Sequence, residues 1–279
     1  MKANTLLLLA AIIWGFAFVA QRAGMEHVGP FAFNAVRFAL GGLVLLPLVL
    51  VNRPTRMKTV LLGGGLAGGV LFLAASLQQA GVIYTTAGKA GFITGLYVIM
   101  VPILGLLWRQ RVGRGVWLGA ILAVVGLYLL GDIGNLDVAL GDWLVLGSAF
   151  FWAVHVHAIG WLASRIDAIP LACCQFLTCS ALSLAAMLLV EEPTIQGLCD
   201  AALPILYAGF LSTGVAYTLQ VVAQRDVHPA HAAIILSLEA VFAVAGGWLI
   251  LGETLSWWGL LGCALMLAGM MLSQSFVRQ

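Results

Sequence analysis

The sequence predicts an all-α integral membrane protein with ten transmembrane helices, organised as two inverted five-helix repeats. Three observations support this prediction: the apolar composition, a series of apolar runs long enough to span a bilayer, and a similarity between the two halves of the chain. Of the 279 residues, 62% are hydrophobic and 9% are charged, whereas soluble domains average about 45–50% apolar and roughly 25% charged residues. This composition excludes a soluble enzyme and a disordered segment.

The ten predicted helices follow from the length of the apolar runs. A helix that crosses a hydrocarbon core of about 30 Å needs roughly 20 apolar residues. Runs of this kind lie at 4–22, 30–51, 58–80, 84–108, 115–131, 143–163, 169–190, 201–222, 230–251 and 257–276. The connections are too short to fold alone, so no soluble catalytic or nucleic-acid-binding domain is expected.

The distribution of positive charge predicts the orientation, because cytoplasmic loops of membrane proteins carry the excess of Lys and Arg. With ten helices, one side of the membrane receives Lys2, Arg53, Arg56, Lys58, Arg109, Arg111, Arg114, Arg165, Arg225 and Arg278. The other side receives Arg22 alone, together with most of the acidic residues. We therefore expect a multi-pass protein of the bacterial inner (plasma) membrane with both termini in the cytoplasm.

The two halves, 1–135 and 136–279, resemble each other in sequence. At a shift of 143 residues, Gly119 and Gly126 fall on Gly262 and Gly269, and at a slightly different shift Trp14 falls on Trp152. Repeats with an odd number of helices insert in opposite orientations. Such inverted repeats can exchange conformations, which allows alternating access to a binding site at their interface near the middle of the membrane. The pattern therefore favours a secondary transporter.

Several short motifs support a family assignment. They are Ile13-Trp14-Gly15-Phe16, Gly29-Pro30, Arg37-Phe38, and the segment from Pro229 through Glu239 to Glu253 and Ser256. With these motifs the chain resembles the EamA-type members of the drug/metabolite transporter superfamily, over essentially its whole length. The family pattern usually has Pro after the intramembrane Glu, where this chain has Ala240. The resemblance implies ten helices in two inverted halves and export of small metabolites, often amino acids, with the aromatic amino-acid exporters as one branch.

Charged residues within the apolar runs are candidate binding residues, because a charge in hydrocarbon needs a partner or a polar cavity. Glu239, in the middle of the ninth run, is interpreted as a group that binds a substrate ammonium or takes up a proton. The alternative is a structural ion pair with Arg37 or Lys89. Arg37 shares a helix face with Asn34, and the two together suit a carboxylate. The alternative for Arg37, and the favoured one for Lys89, is that the side chain reaches out to the membrane surface.

Uncharged polar side chains form a second group of candidates. The eighth run carries a stripe of Thr213, Tyr217, Gln220 and Gln224 at spacings of 4, 3 and 4 residues. Gln78 and Tyr97 add polar groups to the third and fourth runs. Because such groups are costly against lipid, we expect them to face the interior of the helix bundle. They either line a cavity or bond one helix to another.

Aromatic side chains complete the predicted substrate-binding set. Trp14 and Phe18 are four residues apart, and Trp152 and His155 are three apart. Because Trp14 and Trp152 correspond across the repeat, we expect their rings to face each other and form a slot for a flat side chain or a cation. His155 and His157 are two residues apart on a helix and therefore point in different directions, so no metal site is expected.

These observations predict a secondary transporter that exports small metabolites, foremost amino acids with neutral or aromatic side chains. A multidrug exporter of organic cations is the first alternative, and a membrane enzyme or assembly factor without transport activity is the second. No catalytic motif is recognisable, so no enzymatic activity is expected, and neither a cofactor nor a nucleic-acid partner is expected. The expected partners are the small-molecule substrate and the lipid bilayer. A monomer is the expected state, with a dimer left open.

Overall fold

The computed structural model describes residues 2–51, 54, 56–85, 87–110, 112–130, 139–252 and 256–277. The described residues are largely helical, and the helices in chain order are α1 Lys2–Gly24, α2 Pro30–Val51, α3 Met57–Val82, α4 Ala87–Gly95, α5 Tyr97–Leu107, α6 Arg114–Leu130, α7 Leu140–Leu162, α8 Ala168–Val190, α9 Ile195–Asp200, α10 Ala202–Leu206, a π-helix Tyr207–Tyr217, α11 Thr218–Ala223, α12 Pro229–Leu236, α13 Glu239–Leu251 and α14 Trp257–Val277. The predicted boundary between the halves, at residues 135 and 136, lies outside the described residues. The same holds for Arg53, Arg111, Asp132, Asp137, Glu253 and Arg278.

Among the described residues, eight helical segments are long and apolar enough to cross a membrane. They are Lys2–Gly24, Pro30–Val51, Met57–Val82, Ala87–Leu107, Leu140–Leu162, Ala168–Val190, Ala202–Ala223 and Pro229–Ile250. Two shorter apolar helices, Arg114–Leu129 and Trp257–Leu272, lie at the fifth and tenth predicted positions. These helices make the chain an all-helical, multi-pass membrane protein. In agreement with this, side chains such as Leu62, Leu107 and Leu189 are largely exposed on its outer surface.

Two of the membrane-spanning segments are interrupted, where the sequence predicts continuous helices. Leu96 separates α4 from α5, and Ser237 and Leu238 separate α12 from α13. At both interruptions the backbone tightens: the amide of Leu96 donates to the carbonyl of Ile93 at 3.2 Å, and the amide of Leu238 donates to that of Ile235 at 3.2 Å. Such short i→i−3 stretches within long helices often mark functional hinges.

Glycines allow the closest helix contacts. A Cβ atom on Gly126 of α6 would lie 2.6 Å from the carbonyl oxygen of Gly262 in α14, and one on Gly269 would lie 2.7 Å from the carbonyl oxygen of Gly119. The α6–α14 contact is the most extensive among the described helices, and α2 packs on α8, α3 on α7 and α8, and α1 on α13. Small residues that let backbones approach in this way are typical of helix pairs in membranes.

Candidate binding cavity

A cavity lies at the centre of the molecule, where α1, α3, α7 and the π-helix meet the two interrupted segments. The space between its atoms, including the part that is open to solvent, is about 430 Å³. The lining residues are Trp14, Phe18, Gln21, Gln78, Thr94, Tyr97, Trp152, Val156, Ser212, Tyr217, Gln220, Leu236 and Glu239. Eight of the eleven predicted binding residues are among them: Trp14, Phe18, Gln78, Tyr97, Trp152, Tyr217, Gln220 and Glu239.

Tyr217, at the end of the π-helix, is the centre of an aromatic cluster. Its ring centroid lies 4.5 Å from that of Trp14 and 5.9 Å from that of Trp152, the latter nearly parallel at 22°. Phe38 and Phe176 pack against it at 6.1 and 6.0 Å. The two tryptophans therefore both contact Tyr217, whereas the sequence predicted that they face each other. The rings still form an apolar surface suited to a flat side chain or a cation.

Hydrogen bonds hold both cavity tryptophans in place. The indole nitrogen Nε1 of Trp14 donates to the backbone carbonyl of Ser212 at 3.2 Å. That of Trp152 donates to Oε1 of Gln78 at 2.8 Å. Trp14 lies on α1 and bonds to the π-helix, and Trp152 lies on α7 and bonds to α3. Each bond therefore connects the first half of the chain to the second.

Glu239 begins α13 directly after the helix interruption, and its carboxylate reaches the cavity. The Tyr97 hydroxyl, directly after the interruption between α4 and α5, donates a hydrogen bond to this carboxylate. Glu239 is 5% exposed. Among the described residues the Glu239 carboxylate forms no ion pair, so its partner is neither Arg37 nor Lys89. Glu239 is also the only charged side chain among the described lining residues.

Arg37 and Asn34 lie behind the cavity wall and do not line it. The Arg37 Nε donates to Oδ1 of Asn34 at 2.9 Å, as their shared helix face predicts. The guanidinium carbon lies 4.6 Å from the ring centroid of Phe38 and 5.6 Å from that of Phe33. Arg37 is 1% exposed, so it does not reach out to the membrane surface. Phe38 in turn packs against Tyr217, which places Arg37 in a second layer.

His155 also lies behind the cavity wall. Its Nε2 is 2.9 Å from Oε1 of Gln175, and its ring packs edge-on against Trp152 and Tyr217 at 5.8 and 6.3 Å. His157 points elsewhere, with Nε2 2.7 Å from the carbonyl oxygen of Val101. The described residues contain no group of three or more His, Cys, Asp or Glu side chains placed to hold a metal ion.

The members of the predicted polar stripe on the eighth run have two different roles. Tyr217 and Gln220 line the cavity. Thr213 donates to the carbonyl of Ala208, five residues earlier, at 2.8 Å. Gln224 donates through Nε2 to the carbonyl of Val156 at 2.9 Å, which bonds this helix to α7. The two alternatives that the sequence left open, cavity lining and helix bonding, thus apply to different members.

Five lining residues were not predicted: Gln21, Thr94, Val156, Ser212 and Leu236. Spacing provided a signal for two of them, because Gln21 lies seven residues after Trp14 and Thr94 lies three before Tyr97, positions that share a helix face. Ser212 accepts the Trp14 hydrogen bond through its backbone carbonyl. Every residue has a backbone carbonyl, so the sequence gives no signal for this acceptor.

Lys89 forms an ion pair across the halves at one end of the molecule. Its Nζ lies 2.7 Å from Oδ2 of Asp142, and the Lys89 side chain is 37% exposed. The Thr85 hydroxyl donates to Oδ1 of the same carboxylate at 3.1 Å, and the amide of Ala139 donates to Oδ2 at 2.9 Å. The pair connects α4 to α7 and lies outside the cavity lining.

The fold and the cavity define an α-helical, multi-pass membrane protein that encloses a polar and aromatic site between its helices. The chain belongs to the EamA-like transporter family, whose model matches residues 1–131 and 139–274. It is thus a membrane transporter, and the resemblance seen in the sequence is confirmed.

Individual relatives agree with this assignment. An "uncharacterized transporter" of Archaeoglobus fulgidus is 32% identical over 90% of this chain and 78% of its own length. A "probable amino-acid metabolite efflux pump" of Salmonella typhimurium is 26% identical over 96% of this chain and 93% of its own length. A solved crystal structure matches with a TM-score of 0.82 and 19% identity over 99% of this chain and 97% of that chain. This last likeness shows the fold alone.

Proposed function

We propose that this transporter is a secondary exporter of small amine-bearing metabolites, with amino acids of neutral or aromatic side chain as its first candidate substrates. The observation that carries the proposal is the position of Glu239. A carboxylate lies at a helix interruption, inside an aromatic cavity, in a protein of a transporter family. Intramembrane carboxylates facing a cavity commonly mark substrate or ion pathways. The efflux pump of Salmonella typhimurium, by its name, supports amino-acid metabolites as the cargo.

Alternating access between two inverted five-helix halves is the proposed mechanism. The helix contacts support this mechanism. When each helix is replaced by its counterpart in the other half, the α3–α7 contact becomes the contact between α1 and the π-helix, and the α5–α7 contact becomes the α1–α13 contact. The glycine contacts behave in the same way: Gly126 meets Gly262 and Gly269 meets Gly119, as expected of two corresponding helices that cross about a pseudo-two-fold axis. In this arrangement α6 and α14 are the fifth and tenth spanning helices.

The two interruptions lie at corresponding places in the proposed halves. A shift of 143 residues brings Leu96 onto Glu239, next to the second interruption. Discontinuous helices near the middle of the membrane are where many secondary transporters bind substrates and ions. In the proposed site, Glu239 and Tyr97 bind the substrate ammonium, and Trp14, Trp152 and Tyr217 hold the side chain. Both termini are assigned to the cytoplasmic side of the bacterial inner membrane, and the protein acts as a monomer.

Efflux of labelled phenylalanine, threonine and an organic cation from proteoliposomes tests the proposal. The variant is Glu239→Gln, which removes the charge at constant shape, and the matched control is Glu26→Gln, an exposed glutamate outside the helices. We expect saturable amino-acid efflux that falls at least tenfold in Glu239→Gln and stays unchanged in Glu26→Gln. Amino-acid efflux that is insensitive to Glu239→Gln would remove Glu239 from the site.

An exporter of organic cations is the second candidate. It is favoured by the negative charge of Glu239 within a wall of aromatic rings, an arrangement that attracts cations of many shapes. In the same assay, movement of the organic cation without movement of either amino acid would replace the first proposal by this one.

A further inference from the structure

The polar atoms of the cavity differ in whether they already have partners. The Trp14 and Trp152 indole N–H groups are each bonded, to Ser212 and Gln78, and the Tyr97 hydroxyl donates to Glu239. By contrast, the buried oxygens Gln21 Oε1, Thr94 Oγ1 and Gln220 Oε1 have no hydrogen-bond partner among the residues that the structure describes. The lining residues therefore hold unpaired acceptor oxygens, one of which, the Thr94 hydroxyl, can also donate, whereas these three donors are already used.

These acceptors belong to side chains that are well shielded from the outside. Gln21 is 5% exposed, and Thr94 and Gln220 are each 2% exposed. They belong to three different helical segments, α1, α4 and α11, and their residues line the same cavity as Glu239. Leaving such a buried polar group unpaired is unfavourable. A ligand that supplies N–H donors removes this cost.

Charge decides which ligand group enters, because an amide can turn either its oxygen or its nitrogen toward a ligand, whereas an ionised carboxylate can only accept. Glu239 is the only charged residue among the described lining residues. Arg37, the cation that would favour a carboxylate, points its Nε to Asn34 and lies under the ring of Phe38. Lys89 pairs with Asp142 away from the lining. When Glu239 is ionised, a substrate carboxylate would therefore meet a like charge in a poorly screened cavity.

We infer that the site recognises the primary ammonium and the apolar body of its substrate and does not require the substrate carboxylate. The ammonium has three N–H donors, which suit Glu239 together with the Thr94 hydroxyl and the Gln21 or Gln220 amide oxygens. The rings of Trp14, Trp152 and Tyr217 accommodate the body. Arylalkyl amines without a carboxyl group are thus ligands in their own right. The inference rests on the proposed function in one respect, the identity of the cavity as the substrate site.

Three ligands with the same ring and similar chains test this inference: tyrosine, tyramine and 4-hydroxyphenylpropionate. Their binding to the purified protein in nanodiscs is measured by calorimetry at pH 7, which avoids the passive leak of amines through vesicles. We expect tyramine to bind at least as tightly as tyrosine, and 4-hydroxyphenylpropionate to bind at least about tenfold more weakly than either. Equal binding of 4-hydroxyphenylpropionate, or tyrosine binding without tyramine binding, overturns the inference.

Two variants connect the result to the cavity. Glu239→Gln removes the charge, and Thr94→Val removes one unpaired oxygen at nearly constant shape. We expect both variants to weaken tyramine binding several-fold, and Glu26→Gln to leave it unchanged. Size-exclusion profiles identify any variant that fails to fold, and Thr94→Val keeps the test valid if Glu239→Gln is such a variant. Tyramine binding that neither well-folded variant alters would place the amine elsewhere and contradict the inference.

Failure of the inference is distinguishable from failure of the proposed function. Tyramine binding that depends on Glu239, without amino-acid efflux from proteoliposomes, would retain the ammonium site and reject amino-acid export. Amino-acid efflux together with preferential binding of 4-hydroxyphenylpropionate would retain export and reject the ammonium site.

Discussion

Hydrogen bonds between buried side chains fix the walls of the cavity. The bond from Trp152 Nε1 to Gln78 Oε1, at 2.8 Å, is the shorter of the two indole bonds. Both side chains are at least nine-tenths buried, with Trp152 9% and Gln78 4% exposed. Losing one partner of such a bond leaves the other unpaired, which is more costly than replacing both by apolar groups of similar shape. The Trp14 bond differs because its acceptor is a backbone carbonyl.

This difference leads to a prediction about Trp152→Phe. The variant should lower the free energy of unfolding by about 1–3 kcal/mol, because the Gln78 oxygen loses its donor. Adding Gln78→Leu should recover part of the loss. Thermal unfolding in detergent of the two single variants and the double variant gives the coupling between the positions. Losses that simply add in the double variant would show that the bond contributes nothing.

The sequence identifies candidate site residues where a charged, polar or aromatic side chain interrupts an apolar run. Glu239, Tyr97 and Tyr217 were predicted in this way, and the structure places them together. Arg37 fits the same criterion yet lies behind the wall, because the direction of a side chain depends on which neighbour its helix packs against. Lys89 pairs with Asp142, a residue far away in the chain, so tertiary proximity that the sequence does not display determines its partner.

At the level of the helices, departures from regular α-helical geometry determine the form of the site. The length of the apolar runs predicts continuous helices at 84–108 and 230–251, and the interruptions at Leu96 and at Ser237 and Leu238 occur without proline. The sequence therefore lacks the usual signal for a break. The π-helix Tyr207–Tyr217 is also hidden from an argument based on 3.6 residues per turn. This π-helix is 11 residues long, unlike the single-turn π-bulges that are common in α-helices, and it ends at Tyr217.

Helix contacts through glycine lead to a prediction with an internal control. A Cβ at Gly126 would lie 2.6 Å from the Gly262 carbonyl oxygen, whereas a Cβ at Gly65, in α3, would meet nothing within 4 Å. Alanine is about 1 kcal/mol more favourable than glycine within a helix. Gly65→Ala should therefore be neutral or stabilising. Gly126→Ala should destabilise by about 1–3 kcal/mol, because it overpacks a tight contact.

Thermal unfolding in the same detergent compares the two alanine variants directly. Gly269→Ala, at the corresponding contact with Gly119, should behave like Gly126→Ala. Equal stability of all three variants would mean that α6 and α14 can separate without cost. The seven-residue spacing of the glycines places each pair on one helix face, although in the sequence this spacing served only as evidence of the repeat.

Two carboxylates contact the opposite half at the same end of the molecule. There, the Lys89–Asp142 pair joins α4 to α7. The Glu191 carboxylate, at the end of α8, accepts from the amides of Phe31 and Ala32 at 2.9 and 2.8 Å, at the start of α2. Gly29 leaves room for that carboxylate, because a Cβ there would lie 2.3 Å from its carbon. The start of a helix favours a negative charge, so this contact stabilises the packing of the end of α8 against the start of α2.

The sequence accounts for only part of this arrangement. Self-similarity predicted that two related halves meet, but the residues that would correspond to Lys89 and Asp142 in the opposite halves are Ala232 and Asn4. An ion pair at one end without a charged counterpart at the other makes the two ends chemically different. If the halves exchange conformations, the state closed at the Glu191 end is favoured by these contacts. Ligands and mutations shift such an equilibrium only by favouring one state over the other.

Glu191→Gln should therefore shift the population toward states open at this end. A glutamine offers one oxygen to two amide donors and places an NH₂ group against the second. The matched control is Glu192→Gln, the neighbouring exposed glutamate. In a background with the five cysteines replaced, Phe18→Cys places a reactive thiol on the cavity wall one turn before Arg22. We expect a membrane-impermeant thiol reagent to label this cysteine several-fold faster with Glu191→Gln than with Glu192→Gln. Equal labelling rates would mean that the Glu191 contact does not control access, and that closure depends on the packing of α2 against α8 instead.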